Sequence, residues 1–427
     1  MNAYLEYCRA AWQRQELVDG SALAEGRRAE WRRFETLGWP TTRLEPWKYT
    51  TLSGLEKLDG QPTQTLAVER AKPADPAPAH MIRVRWVDGK ADRKGSDVTQ
   101  LPAGVTVRFW SDMSAQEQAQ CHARLAPARE LTALGALNGA LLSEAIWIKV
   151  ERGVQMTAPL YLEHQGGQTP SSHVALLVEM EPQAEMTVWE RWQSHGDTAS
   201  HVNMVTALHL SAQARLTWVK VLQEGQQSYH TAAVWAGLAQ ASCLQWYPFA
   251  LSGAFGRHDI RVALQQPQAE CILRGVYRVN SRELQDFHTS IEHQAPHCSS
   301  EECFKGVLEG TGKAVFNGQI RVARDAQKTQ SRLSNHNLLL SDKAEVNTKP
   351  ELEIFADDVR CSHGTTVGQL DENQWFYLRS RGVEAEQARR LLIGAFTREI
   401  GDAIPNPEIR QAVGYCLGEA HQELDYV

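Results

Sequence analysis

The sequence alternates apolar and polar residues from about position 145 onward, and the alternation continues for more than 200 residues without a convincing long helix. Ile146 and Ile148 show the pattern near its start, and Leu352 and Ile354 show it near its end. Successive side chains of a strand point to opposite faces, so a period of two is typical of strands with one buried face. This region is too long for a single hairpin and predicts a mainly β core.

A turn-like pattern returns inside the strand region at nearly constant spacing. Each copy is a stretch of small residues that leads into a strand, and the copies lie at residues 182–186, 212–216, 240–243 and 267–271. Their equivalent alanines, at positions 184, 214, 241 and 269, are 30, 27 and 28 residues apart. A unit of this length cannot bury its apolar face without stacked neighbours, so the repeat favours a solenoid, and a parallel β-helix fits best. An antiparallel sandwich with similar turns is the alternative.

Helical patterns lie on both sides of the strands. Roughly the first sixty residues read as helical, and helical periodicity returns between Ser114 and Leu142. The Pro-rich stretch near residues 71–79 predicts a linker. Three helices are expected after residue 364, the first capped by Asp371 and the third by Asn406. The predicted domains are a mostly helical region at residues 1–142, a β-helix core at residues 143–364 and a C-terminal helical domain at residues 365–427.

Composition argues against several classes of protein. The 427 residues exceed the usual size of one hydrophobic core, which indicates several domains or an elongated architecture. Lys and Arg number 44 and Asp and Glu 51, so the net charge, 44 − 51 = −7, does not favour a nucleic acid partner. No apolar run is long enough for a membrane span and no signal-peptide pattern is visible, so a cytoplasmic protein is expected. Eight scattered cysteines without a CxxC pair indicate free thiols.

Motifs for phosphate binding and hydrolysis are incomplete. Gly312 and Lys313 resemble the end of a phosphate loop, but Ala314 stands where a Ser or Thr must reach magnesium, and the residues that follow indicate a strand. The sequence has no GxSxG, HExxH or GxGxxG motif. An enzyme alternative is a β-helix hydrolase or lyase, which predicts a solenoid groove lined by convergent carboxylates.

Two groups of soft metal ligands stand out. Cys361 and His363 lie two residues apart at the end of the strand region. Residues i and i+2 of a strand face the same side, so their thiolate and imidazole could reach one iron or zinc ion or the edge of a cluster. Two ligands do not complete a site, so others must come from elsewhere, such as another chain; the alternative is a buried Cys and a hydrogen-bonded His. The second group is interpreted as surface loop residues. It comprises His293, His297, Cys298 and Cys303.

Three stretches of the chain carry a family signature. They are residues 45–50 (Glu-Pro-Trp-Lys-Tyr-Thr), residues 318–341 and residues 344–364. They resemble the SufB/SufD family of iron–sulfur cluster assembly proteins, and the resemblance spans nearly the whole chain. The Cys-Ser-His-Gly run that ends at Gly364 is similar to the SufD branch of the family rather than to the SufB branch. Asn347 departs from the pattern, since the family commonly has Asp there.

The resemblance implies a right-handed parallel β-helix flanked by N-terminal and C-terminal α-helical regions. It implies a scaffold subunit, not an enzyme, that pairs with SufB through the β-helix and with the ATPase SufC through the C-terminal helices, or with a second copy of itself when isolated. The expected cargo is iron or a nascent iron–sulfur cluster, shared transiently with SufB and not stably bound by the isolated chain. His363 is the expected ligand, and Cys361 is an auxiliary thiolate or a structural neighbour. A module in which both side chains only pack is the remaining alternative.

Overall fold

Strands occupy the middle of the chain, and helices precede and follow them. The computed structural model describes residues 2–18, 23–58, 80–166, 169–194 and 199–418, so the predicted linker near residues 71–79 lies outside the described residues. The helices are α1 (Ala3–Val18), α2 (Ala24–Leu37), α3 (Ala115–Arg124), α4 (Ala126–Arg129), α5 (Ala133–Leu141), α6 (Glu372–Ser380), α7 (Ala385–Asp402) and α8 (Pro407–Cys416). The strands are β1 (Ile82–Val87), β2 (Lys90–Ala91), β3 (Val105–Phe109), β4 (Glu144–Val150), β5 (Leu160–Gly166), β6 (Ser171–Met180), β7 (Glu185–Ser194), β8 (Ser200–Leu210), β9 (Arg215–Gln223), β10 (Ser228–Leu238), β11 (Cys243–Ser252), β12 (Phe255–Leu264), β13 (Glu270–Val279), β14 (Leu284–His293), β15 (Ser299–Leu308), β16 (Lys313–Val322), β17 (Gln330–Leu339), β18 (Glu345–Ile354) and β19 (Arg360–Gly368).

The strands form two sheets that share the coils of a β-solenoid. The odd-numbered strands from β5 to β19 follow β2 and β1 in a ten-stranded sheet, and the even-numbered strands from β4 to β18 follow β3 in a nine-stranded sheet. Each coil gives one strand to each sheet, and successive coils pair in parallel, as β15 does with β17. Antiparallel pairs occur at the N-terminal end, between β1 and β2 and between β3 and β4. The predicted β-solenoid with helices at both ends is confirmed, and the antiparallel sandwich is wrong.

A left-handed backbone turn marks one corner of successive coils. The residues that adopt it have φ between 52° and 64°, and they are Gln183, Gln213, Ala241, Gln268, His297 and Lys328. The residues that follow them are buried, and they are Ala184, Ala214, Ser242, Ala269, Cys298 and Thr329. The predicted set of equivalent alanines is therefore wrong by one residue at its third member, because Ala241 is itself the turn residue and Ser242 takes the buried position. The corners also stack, since the N–H of Gln183 donates to the carbonyl of Ala212 at 2.9 Å.

Aromatic side chains from both sheets meet in the interior and continue from coil to coil. Phe304 on β15 lies between Phe287 and Phe316 of the opposite sheet, with ring centroids 5.1 Å apart on each side. Trp218 and Trp246 stack at 5.4 Å on neighbouring strands. Aromatic pairs at such distances contribute about 0.5–1.5 kcal/mol beyond their burial. The coils therefore share one continuous core rather than a series of separate ones.

Helices cover the outer face of each sheet. The last two helices, α7 and α8, and the connection between them bury Ile400, Ile404 and Val413 against the outer face of the ten-stranded sheet. The N-terminal helices α1, α2 and α5 pack together over the nine-stranded sheet, where the Tyr4 hydroxyl lies 2.5 Å from His201 Nδ1. The solenoid thus carries one helical layer on each side, and the C-terminal layer lies on the sheet that ends in β19.

The C-terminal helices begin where their capping residues predict. Asp371 accepts hydrogen bonds from the backbone N–H groups of Asn373 and Gln374 at the start of α6. Asn406 accepts one from Ile409 at the start of α8. These side chains satisfy N–H groups that the first turn of a helix leaves unpaired, which fixes the helix starts.

Within the described ranges, every helix is too short or too polar to cross a membrane.

Candidate functional site

Cys361 and His363 lie on β19, the last strand of the ten-stranded sheet. Cys361 is in register with Ser331 of β17, and His363 is in register with Leu333. Ser331 and Leu333 are both buried in the interior. Residues in register on neighbouring strands point to the same face, so Cys361 and His363 both face the interior side of the sheet. The strand spacing thus places the two side chains on one side, at the end of the solenoid.

The two candidate ligands differ in their exposure. Cys361 is half-buried and packs against the main core, whereas His363 is exposed. Burial raises the pKa of the Cys361 thiol, and a hydrogen bond with the backbone of Ser331 opposes that shift without cancelling it. The thiol is therefore protonated at neutral pH. An exposed imidazole also does not match the alternative in which both side chains only pack.

Within the part of the chain that the structure describes, the solenoid ends at this point without a cap. Ile354 is 39% exposed and Val367 is 50% exposed, although their register neighbours one coil earlier, Val322 and Asn337, are 0% and 2% exposed. Neither β18 nor β19 has a strand on its outer edge within the described ranges. Unpaired edges with apolar side chains beside them are sites for pairing with another chain. Cys361 and His363, an incomplete ligand pair that we call the half-site, therefore lie on a surface suited to a second protein.

The described residues do not supply a third ligand to the half-site. Among the residues that the structure describes, no three His, Cys, Asp or Glu side chains converge closely enough to hold a metal ion. In the second candidate group, His293 and Cys298 are buried in the core, so their interpretation as surface loop residues is wrong. His293 Nε2 lies 2.9 Å from Ser300 Oγ, and Cys303 packs on the outer face beside the α7–α8 cluster. The four residues of that group therefore lie in different surroundings and do not form a common site.

A buried charge network holds the N-terminal motif at residues 45–50 against the nine-stranded sheet. Arg257 Nη1 lies 2.5 Å from Asp286 Oδ2, and Thr50 Oγ1 donates to the same oxygen at 2.5 Å. The guanidinium also donates to the carbonyl of Pro46 at 2.8 Å and lies 4.5 Å from the ring centre of Trp47. Sequence reasoning missed this network, because Thr50 and Asp286 are 236 positions apart.

The electrostatics of the network agree with a structural role. Burial alone would raise the pKa of Asp286, but the charge of Arg257 and the nearby His288 and Thr50 lower it to about 2. A cavity of about 290 Å³ lies beside His288, and its exposed carboxylate, Glu45, is paired with Lys349. This cavity does not offer the convergent carboxylates that the hydrolase alternative predicts.

The C-terminal helices expose several large apolar side chains. Phe376 on α6 is 71% exposed and Tyr415 on α8 is 74% exposed, and Tyr377 and Leu391 are exposed as well. Large apolar side chains that remain exposed on neighbouring helices favour contact with another protein. Only residues 369–371 separate β19 from α6, so this surface is joined directly to the strand of the half-site.

Comparisons with known proteins point to one family. A family profile described as "SUF system FeS cluster assembly, SufBD core domain" matches residues 162–396. The chain is 32% identical to the iron–sulfur cluster assembly protein SufD of Escherichia coli over 387 residues, which cover 90% of this chain and 89% of that protein. It is 28% identical to an iron–sulfur cluster assembly SufBD family protein of Synechocystis over 95% of this chain and 94% of that protein. It is 27% identical to the chloroplastic protein ABCI7 of Arabidopsis thaliana over 89% and 82% of the two chains.

Proposed function

The chain belongs to the SufB/SufD family of the SUF iron–sulfur cluster assembly system, and from this premise we propose that it is a cytoplasmic scaffold subunit without catalytic activity of its own. In this proposal it pairs with a SufB-type solenoid and a SufC-type ATPase, and iron or a nascent cluster is assembled at the interface between the two solenoids. The ATPase supplies the nucleotide chemistry, because the phosphate-loop resemblance at Gly312 fails in this chain.

The uncapped end of the solenoid is the observation that carries the proposal. A partner strand that paired with β18 or β19 would extend the sheets and satisfy backbone groups that the end coil leaves open. It would also cover Ile354 and Val367, which are exposed only because the solenoid stops there. The same contact would bring side chains of the second chain opposite Cys361 and His363. The missing ligands of the half-site are therefore expected from the partner.

His363 is the primary ligand in this proposal, and Cys361 is auxiliary. The exposed imidazole can bind iron through one ring nitrogen, while a neighbouring group of the assembled complex fixes the other nitrogen. The Cys361 thiol must first lose its proton, and its burial opposes that loss. Iron bound by His363 and by the partner would favour the thiolate, so Cys361 is expected to join after the first ligand has bound.

The apolar surface of the C-terminal helices is the proposed site for the ATPase. Phe376 and Tyr415 would be buried by that contact, and the short connection at residues 369–371 would transmit movement of the helices to β19. In the absence of a SufB-type partner, the same uncapped end would pair with a second copy of this chain.

Charges placed on the uncapped end test the proposal. Ile354→Lys and Val367→Lys change exposed side chains, so the isolated chain is expected to fold normally, while co-purification with the SufB-type solenoid is lost because a lysine would have to be buried unpaired. Leu17→Lys, at a position on α1 that is 87% exposed, is the matched control and should keep the complex intact. A complex that tolerates both end variants would show that the partner binds elsewhere.

A further inference from the structure

β19, the strand of the half-site, pairs through its backbone with β17 alone among the described strands. Within the described residues its outer edge is unpaired, and residues 369–371 lead directly from it into α6. On the outer face of the sheet one side-chain hydrogen bond joins it to β17, with His336 Nδ1 2.8 Å from Thr366 Oγ1. Thr366 is three positions after His363, so this bond fixes β19 close to the half-site.

Thr366 and His336 belong to a row that crosses three neighbouring strands. Lys305 on β15 is in register with His336 on β17, and His336 is in register with Thr366 on β19. The three side chains lie on the outer face of the sheet, since Phe304 and Asn335 beside them are buried in the interior. The row therefore leads from β15 to the half-site strand.

Lys305 is the point at which α7 meets this row. Its Nζ donates to Glu399 Oε2 at 2.5 Å and to the carbonyl of Phe396 at 2.8 Å, and it lies 4.8 Å from the centre of the Phe396 ring. The Lys305 side chain is only 8% exposed. An ammonium group buried to this degree is strongly unfavourable without partners, and these polar partners belong to α7. Displacing α7 must therefore move Lys305 as well.

His336 is the next residue of the row, and its environment includes the charges of Lys305 and Glu399. Burial and the charge of Lys305 lower the pKa of His336, and the Glu399 carboxylate opposes them. His336 Nδ1 in turn lies 2.8 Å from Thr366 Oγ1, which joins β17 to β19. α7 thus contacts Lys305 directly, and Lys305 is the register neighbour of His336.

We propose that Lys305 is a positioning residue that couples the packing of α7 on the sheet to the backbone ordering of β19. This inference deepens the proposed function and rests on it for its use, because an ATPase bound to the C-terminal helices would then act on the strand that carries His363. When α7 is seated, Lys305 and His336 keep β19 in place at the open end. When α7 is displaced, β19 loosens and the half-site loses its geometry.

Hydrogen–deuterium exchange of the full chain tests this coupling without iron or partner proteins. Lys305→Met keeps a long side chain and removes the charge, and we expect the amides of α7 and β19 to exchange about tenfold faster while those of β8 and β10, on the other sheet, stay unchanged. Lys305→Arg can reach the same oxygen atoms and is expected to restore slow exchange in both elements. Thr366→Val changes an exposed position and should loosen β19 while leaving α7 unchanged.

Lys313→Met is the matched control for the loss of a lysine. Lys313 pairs with Glu345 at 2.9 Å on the nine-stranded sheet, so its removal should leave β19 unchanged. Faster exchange of α7 with an unaltered β19 in Lys305→Met would reduce Lys305 to an anchor of the helix and overturn the inference. Equal loosening of β19 by Lys313→Met would overturn it as well. Because no iron enters this measurement, a negative result here leaves the half-site proposal standing.

Discussion

Replacing the buried carboxyl of Glu302 with an amide is predicted to stabilise the protein and to remove part of its pH dependence. Glu302 is 0% exposed, and Thr289 Oγ1 donates to its Oε1 at 2.6 Å. Its second oxygen, Oε2, has no hydrogen-bond partner within the described part of the chain. Burial raises the pKa of Glu302 from 4.5 to about 8, and the Thr289 hydrogen bond only partly opposes this shift. The carboxyl is therefore protonated in the folded protein at pH 7.

The size of the effect follows from the two pKa values. The unfolded chain releases the proton near pH 4.5, whereas the folded protein holds it up to about pH 8, so the free energy of unfolding decreases as the pH rises between those values. Because pH 7 lies about 2.5 units above the pKa of Glu302 in the unfolded chain, binding this proton on folding costs about 3 kcal/mol. Glu302→Gln carries no such proton and keeps an acceptor for Thr289. Because its NH2 group replaces an unpartnered atom, we expect a net gain of about 2 kcal/mol at pH 7.

Denaturant unfolding at pH 4.5, 7 and 8 measures this prediction. The advantage of Glu302→Gln should be small or absent at pH 4.5 and grow with pH. Glu301→Gln is the matched control on the same strand, where an exposed carboxylate pairs with Arg274 at 2.7 Å, and its effect should stay within about 1 kcal/mol. An advantage of Glu302→Gln that is the same at all three pH values would refute the reasoning, because Glu302 would then titrate alike in the folded and unfolded protein.

Three further predictions concern the fold around the candidate site. Asp286→Asn is expected to lower the free energy of unfolding by about 3–5 kcal/mol, because it leaves the buried Arg257 without one of its paired carboxylates. In the unaltered protein the stabilisation by Asp286 is present above about pH 4 and is lost as the pH falls toward 2. Urea unfolding at pH 7 and pH 3 measures both effects. Phe304→Ala opens a cavity between two stacked rings and should cost about 3–5 kcal/mol in the same assay, so a loss below 1 kcal/mol would contradict a continuous core. Asp371→Ala removes the cap of α6 and should cost about 1 kcal/mol, visible as faster amide exchange confined to that helix.

The architecture was predictable because two periods in the sequence report on backbone geometry. Alternation with a period of two predicted the strands, and a repeat near 28 residues predicted the stacked coils. Ala241 was wrongly aligned with the buried alanines of the other coils, because the residue type does not show which alanine adopts a left-handed turn. Its φ of 52° identifies it as the turn residue. The buried His293 and Cys298 were misjudged for a similar reason, since their stretch looks polar although both side chains point inward.

The candidate site was only partly predictable. Spacing alone places Cys361 and His363 on one face of a strand, and the structure has that arrangement. That this strand is the last of its sheet depends on where the solenoid stops, which no local pattern encodes. Contacts such as Lys305 with Glu399, 94 positions apart, arise from how the C-terminal helices fold back onto the solenoid, so they require the structure.

Cluster maturation in cells that carry His363→Ala tests the central claim most directly. The variant is expected to fold, because His363 is exposed, and to co-purify with its SufB-type and SufC-type partners. The purified complex should nevertheless carry no newly assembled cluster, and iron–sulfur enzymes in those cells should lack activity. Normal cluster assembly on the His363→Ala complex would contradict the account, because the open end of the solenoid would then serve pairing alone.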